Sequence, residues 1–212
     1  MARLFFLSPA QCGGSRARRL LATDASAPLA HRLRSPQGAP IGDVFAFVSG
    51  LYFRGKLTYA RRFANPGAVD ATVVGAGIHI ITATRGLVRP EHPLTAREMA
   101  DFAKADISVE NRAFTTSLAR SAEAIRDRLE AADEVVLLGS IATPKYVDVL
   151  LDVFGEQLRF PGAFVGRGDM SRGGLLLRQA ASGVELDYEP VRGAVRRGPR
   201  PPRLSPEARA TQ

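Results

Sequence analysis

The sequence predicts an α/β fold, a mostly parallel central sheet flanked by helices in three layers. Three observations carry this. Short runs of apolar and β-branched residues recur along the chain, as strands buried on both faces require. Longer stretches with apolar residues at helical spacing alternate with them. Turns rich in Gly, Pro, Ser and Thr separate the two kinds of segment.

Arg3 to Ser8 reads as a buried strand, followed by a loop through Pro9 and Gly14 and a short helix from Arg16 to Ala22 with Ser15 as its cap. Ser26 to Arg34 is a helix candidate, and Asp43 to Val48 reads as a strand or extended segment. From Leu51 to Phe63 the spacing predicts a helix with Leu57, Ala60 and Phe63 inward. Its cations Arg54, Lys56, Arg61 and Arg62 interleave with Tyr52 and Tyr59. Ala71 to Ala83 reads as one central strand interrupted at Gly75 and Gly77, with His79 on a sheet face. Thr95 and Glu98 form a capping box before a helix from Ala96 to Lys104. Ser117 to Ala132 carries an amphipathic helix, and Glu134 to Leu138 is the clearest strand. Thr143 before Pro144 reads as the start of a helix that runs to Phe154 and closes at Gly155. Leu158 to Val165 reads as a strand, Leu175 to Ala181 as a helix closed by Gly183, and Glu185 to Val191 as an edge strand.

The chain has 212 residues, with 29 basic and 21 acidic side chains and a net charge of +8. That length fits one domain, read as residues 1–191, and a basic, Pro- and Arg-rich tail, 192–212, read as disordered. The tail holds six arginines against Glu207 and so carries +5 of the total. Such a balance points to a polyanion, although GC-rich coding also produces Arg-rich ends. One cysteine, Cys12, excludes a disulfide framework. The three histidines lack metal-ligand spacing, so neither a metal nor a cofactor is expected. No run reaches membrane-spanning length, and the expected location is the cytoplasm.

In parallel sheets ligands bind beyond the carboxyl ends of the strands. Those ends here are polar turns. They supply the candidate ligand-binding residues Ser8, Ser49, Tyr52, Arg54, Thr82, Arg85, Gly86, Gly139, Ser140, Lys145, Arg167, Gly168, Ser171 and Arg172. Glycines let a backbone approach a ligand, and arginines grip phosphate. Asp169, in the turn Phe164–Leu175, is the candidate catalytic carboxylate. The same turn also fits a plain strand-to-helix connection with Ser171 as the helix cap.

Leu7-Ser8-Pro9-Ala10, Leu51-Tyr52 with the helix after it, and Ile81-Thr82-Ala83-Thr84-Arg85-Gly86-Leu87-Val88-Arg89-Pro90 resemble segments of the YaaA family of bacterial peroxide-stress proteins. Val135 to Leu151 and Phe160 to Leu177 are similar to segments of related bacterial proteins. The resemblance implies association with DNA and distant kinship to glycosylase-type folds. It names no catalytic residue.

Two functions are expected from these features. One is an enzyme directed at nucleic acid or a nucleotide, a hydrolase or transferase acting on an N-glycosidic bond in the manner of a nucleobase glycosidase or transglycosidase. Asp169 would stabilise an oxocarbenium, Arg85, Arg167 and Arg172 would hold phosphate, and Tyr52 would stack on the base. The alternative is a non-catalytic DNA-binding stress-response protein held mainly by phosphate contacts.

Overall fold

The computed structural model describes residues 1–202. In chain order the elements are β1 (Arg3–Leu7), α1 (Ser15–Leu21), α2 (Pro28–Arg34), β2 (Ala39–Pro40), α3 (Ile41–Ser49), α4 (Leu51–Phe63), α5 (Ala71–Val74) and β3 (Ile78–Thr82). Then come β4 (Gly86–Val88), β5 (Pro93–Leu94), α6 (Ala96–Lys104), α7 (Arg112–Arg126), β6 (Glu134–Leu138), α8 (Val147–Phe154), β7 (Leu158–Pro161), α9 (Asp169–Ser182) and β8 (Tyr188–Pro190). The main sheet has the order β4-β3-β1-β6-β7-β8. Its four inner strands are parallel, and β4 and β8 run antiparallel at its edges. The α/β class and the mostly parallel sheet expected from the sequence are therefore present.

Alternation along β1 builds the layers. Phe5 and Leu7 face a core shared with α1 to α4, α6 and α9. Leu4 and Phe6 face a second core shared with α7 and α8. The register pairs Phe5 with Val136 and Leu7 with Leu138, so β6 repeats the same division. The chain leaves β1 for β3 on one side and later returns to β6 on the other. A switch point in strand order thus lies between β1 and β6, and loops there diverge and leave a crevice.

Several boundaries differ from those read in the sequence, each for a local reason. The segment 43–48 is not a strand but the body of α3. Ile41, Val44 and Phe45 are buried while Asp43 and Phe47 are exposed, which is helical spacing. The segment 71–83 is divided, because Gly75 and Gly77 take φ of 55° and 78° between α5 and β3. The strand expected to reach Val165 stops at Pro161, and a 3-10 turn spans Gly162–Phe164. Helix α9 starts at Asp169 with Gly168 as its cap, so Ser171 lies inside it. Helix α8 starts at Val147 instead of Pro144, although the Pro144 carbonyl still accepts from Val147 and Asp148. Helix α7 is shifted to 112–126, because Asn111 caps the amides of Ala113 and Phe114. The helix starting at Thr95 has the expected bounds, but the Glu98 carboxylate pairs with Arg85.

Residues 192–202 contain no helix or strand, yet contacts tie this part of the expected tail to the body. Val191 is buried, Arg192 pairs with Glu156, and Arg196 pairs with Asp148 on α8. The rest of the expected disordered tail, 203–212, lies outside the described residues.

Helices α4 and α9 cross at two glycines. A Cβ on Gly55 would lie 2.7 Å from the Gly173 carbonyl oxygen, and one on Gly173 would lie 2.8 Å from Tyr52 Cα. The backbones therefore touch, and α9 sits directly on the Tyr52 face of α4. Gly55→Ala and Gly173→Ala should each cost about 1–3 kcal/mol in urea unfolding, by overpacking. Gly13→Ala, whose Cβ meets only the Ala103 carbonyl oxygen at 3.9 Å, should stay within about 0.5 kcal/mol. Equal effects at the three sites would contradict this packing.

Candidate functional site

A cleft of about 940 Å³ opens at the carboxyl ends of β1 and β6. Ser8 follows β1 and Ser140 follows β6, so the cleft occupies the switch point. Tyr52 and Ser49 line it from the α3–α4 side, Lys145 and Tyr146 from the turn before α8, and Asp169 and Met170 from the first turn of α9. The loop after β1 adds Gly13 and Gly14, and the start of α1 adds Arg16. Gly50, with φ of 62°, adopts a backbone that other residues rarely take, and the Arg16 guanidinium lies against it. This contact sets Arg16 beside Ser49 at the rim.

The floor of the cleft is more unusual than its rim. Lys56 is buried to 1% exposure. Its Nζ donates to the Ser8 carbonyl oxygen at 2.6 Å and lies 2.8 Å from Ser8 Oγ. It also sits 4.5 Å from the centre of the Tyr52 ring and 4.7 Å from that of Phe53. Burial disfavours the ammonium and brings the amine down to about 7. The carboxylate of Asp169 opposes that shift, and Arg172 adds to it.

Around this floor stand further polar groups. Tyr146 donates to the Ser140 carbonyl oxygen at 3.2 Å. A Cβ on Gly139 would meet both the Ser8 Cβ and the Tyr146 hydroxyl at 2.9 Å, so glycine is required for those side chains to meet. The Tyr52 hydroxyl is buried and makes no hydrogen bond of good geometry, although Arg172 and Asp169 lie near enough to act on it. Desolvation raises both phenols, so each stays a neutral donor. Arg172 is itself buried and donates twice to the Phe164 carbonyl oxygen, at 3.1 and 3.2 Å, with Asp169 at 3.5 Å. The Asp169 side chain is 70% exposed. Cys12 lines the cleft as a buried thiol pushed up to about 12 by desolvation, so it stays protonated.

The structure brings together part of the sequence-derived set. Ser8, Ser49, Tyr52, Ser140, Lys145 and Asp169 line the cleft, and Gly139, Gly168 and Arg172 support its walls. Tyr52 is turned inward, with its ring packed on Phe164 and under Lys56. Arg54 is exposed on α4, away from the cleft lining. Thr82 and Gly86 close the β3–β4 hairpin on each other, the Thr82 hydroxyl donating to the Gly86 carbonyl oxygen at 2.9 Å. Arg85 is paired with Glu98. Arg167 bonds the Ala163 carbonyl, the Ser171 hydroxyl and the Pro202 carbonyl. Arg85 and Arg167 therefore do not join Ser140 in one cradle.

In sequence Lys56 is one of four cations interleaved with Tyr52 and Tyr59, with nothing to mark it as buried. The missed signal was periodicity: Tyr52, Lys56, Tyr59 and Phe63 recur every three or four residues, on one side of α4. His79, by contrast, is buried against Phe6, as its alternation with Ile78 and Ile80 indicates, and burial lowers it to about 4. Among the described residues no group of three or more His, Cys, Asp or Glu could hold a metal ion, and no helix is long and apolar enough to cross a membrane.

The chain matches no protein-family model, no curated protein and no solved structure.

Lys56 and His79 both bind protons more weakly in the folded chain than in the unfolded one. Between about pH 4 and the ordinary histidine value, and again between about pH 7 and the ordinary lysine value, the unfolded chain holds more protons. Stability therefore rises with pH in both windows, by up to about 1.4 kcal/mol per pH unit for each group. Urea unfolding from pH 5 to 9 should show this rise, and Lys56→Met should flatten it above pH 7. An unchanged slope in that variant would contradict the assignment to Lys56.

Proposed function

We propose that the protein is directed at a nucleotide, free or within a nucleic-acid strand, bound in the cleft between the carboxyl ends of β1 and β6. The cleft's position at the switch point carries this reading. Its volume is in the range that takes a small molecule. Arg16 and Lys145 offer cations to phosphate at the rim, and Ser8 and Ser140 offer hydroxyls at the strand ends. Val48, Phe102 and Ile107 give an apolar wall for a base. The segments 7–10 and 51–52, which resemble the YaaA family, meet at this cleft, and this supports an association with nucleic acid.

Asp169 favours a catalytic reading at the same place. It is an exposed carboxylate over the cleft, as cleavage of an N-glycosidic bond requires to stabilise an oxocarbenium or position water. The non-catalytic alternative is DNA binding through phosphate contacts alone.

Calorimetric titration with the four ribonucleoside 5′-monophosphates and a short single-stranded DNA should reveal binding. Arg16→Ala and Lys145→Ala should each weaken it about tenfold, the worth of a charge-assisted contact. Base release from uracil-containing DNA, lost in Asp169→Asn with binding retained, would support the glycosidic reading. No binding at millimolar ligand, or binding unaffected by either rim variant, would overturn the proposal.

A further inference from the structure

We infer that Ser8 and Lys56 form a nucleophile–base pair, with Ser8 Oγ attacking an ester or other activated acyl group held in the cleft. The inference rests on the cleft being the ligand site proposed above. It does not depend on the ligand being a nucleotide.

Geometry carries the pair. Ser8 Oγ and Lys56 Nζ are 2.8 Å apart, within the reach that a base needs to take a hydroxyl proton. Ser8 lines the cleft at 6% exposure, and Lys56 lies behind it at 1%. The nucleophile thus faces the ligand and its base is kept from water. The second Lys56 contact, donation to the Ser8 carbonyl oxygen, fixes the amine without consuming its lone pair. That lone pair is then left for the Ser8 hydroxyl. Serine–lysine pairs are a recurrent form of nucleophilic site on unrelated folds.

A base must be neutral to act. The groups facing Lys56 are Asp169 and Arg172 of α9 and the Tyr52 and Phe53 rings of its own helix, with Tyr146 beyond Ser8. Burial outweighs the single carboxylate, and a substantial neutral fraction is present at pH 7.

The step balances without a co-reactant other than water. Ser8 Oγ bonds to the acyl carbon as its proton passes to Lys56 Nζ. The bond to the leaving group breaks, the electron pair departs with that group, and the Lys56 ammonium returns the proton to it. Water then attacks the acyl-serine, its proton going first to Lys56 and then to Ser8 Oγ as the carboxylic acid leaves.

The test is labelling with an alkyl fluorophosphonate, followed by digestion and mass spectrometry. Here Ser8 Oγ bonds to phosphorus, fluoride leaves, and Lys56 takes the proton. One adduct on Ser8 is expected in the folded protein, at a rate that rises between pH 6 and 8. Lys56→Met should slow it at least about 100-fold, the usual worth of a positioned base. Should that variant not fold, the pH dependence of the natural chain decides. An unlabelled Ser8 in folded protein at pH 8, or labelling at a rate independent of pH or equal after heat denaturation, would overturn the pair. Labelling without nucleotide binding would instead leave the pair standing and remove the nucleotide from the reading above. Nucleotide binding without labelling would do the reverse.

Discussion

The close approach of Gly55 on α4 to Gly173 on α9 is the constraint on which the site depends. With side chains at these positions the helices would stand further apart, and water would reach the space between Tyr52, Lys56 and Arg172. With glycine at both, α9 closes over that face of α4. The same contact sets the first turn of α9, with Asp169, at the carboxyl end of β1. One backbone contact thus couples the packing of a helix pair to the electrostatics of the cleft floor.

Burying an ammonium costs several kcal/mol unless it is paired, and here the exposed carboxylate of Asp169 is a weak partner. The structure offsets the cost in two ways. While charged, Lys56 finds two oxygens of Ser8 and two aromatic faces, each contact contributing on the order of 1–2 kcal/mol. It can also shed the proton, which removes most of the penalty at neutral pH. Cys12 and the two phenols are driven by the same desolvation to stay protonated. At pH 7 the cleft interior therefore contains neutral phenol and thiol donors and an amine between its two states, beside the buried Arg172 guanidinium.

Much of the fold was legible because its signals are local. The runs at 3–7 and 134–138 read as strands from apolar continuity alone, and α4 and α6 have the bounds their spacing and capping residues dictate. The segment 43–48 reads as a strand because Val44, Phe45, Phe47 and Val48 suit one by composition, and only tertiary burial reveals the helical face. The arginines show the limit of reading a site from residue type. Arg85, Arg167 and Arg172 looked equivalent in sequence, yet each is committed to a different internal partner. Which arginine remains available to a ligand depends on contacts distant in sequence, and Arg16 was set at the cleft by Gly50, thirty-four residues on. Lys56 reads as one more cation of α4 for the opposite reason, since a lysine between Gly55 and Leu57 shows no sign of burial until α9 covers it.

The chemistry of the cleft floor turns on whether the amine of Lys56 titrates near neutrality. The chain has three lysines, Lys56, Lys104 and Lys145, so carbon-13 spectra of the labelled protein resolve each Cε, with Lys56→Met assigning the buried one. A Lys56 midpoint near pH 7 is predicted, below those of the other two lysines. A midpoint at the ordinary lysine value, above pH 10, would mean that the amine is hydrated and that α9 does not seal the floor of the cleft.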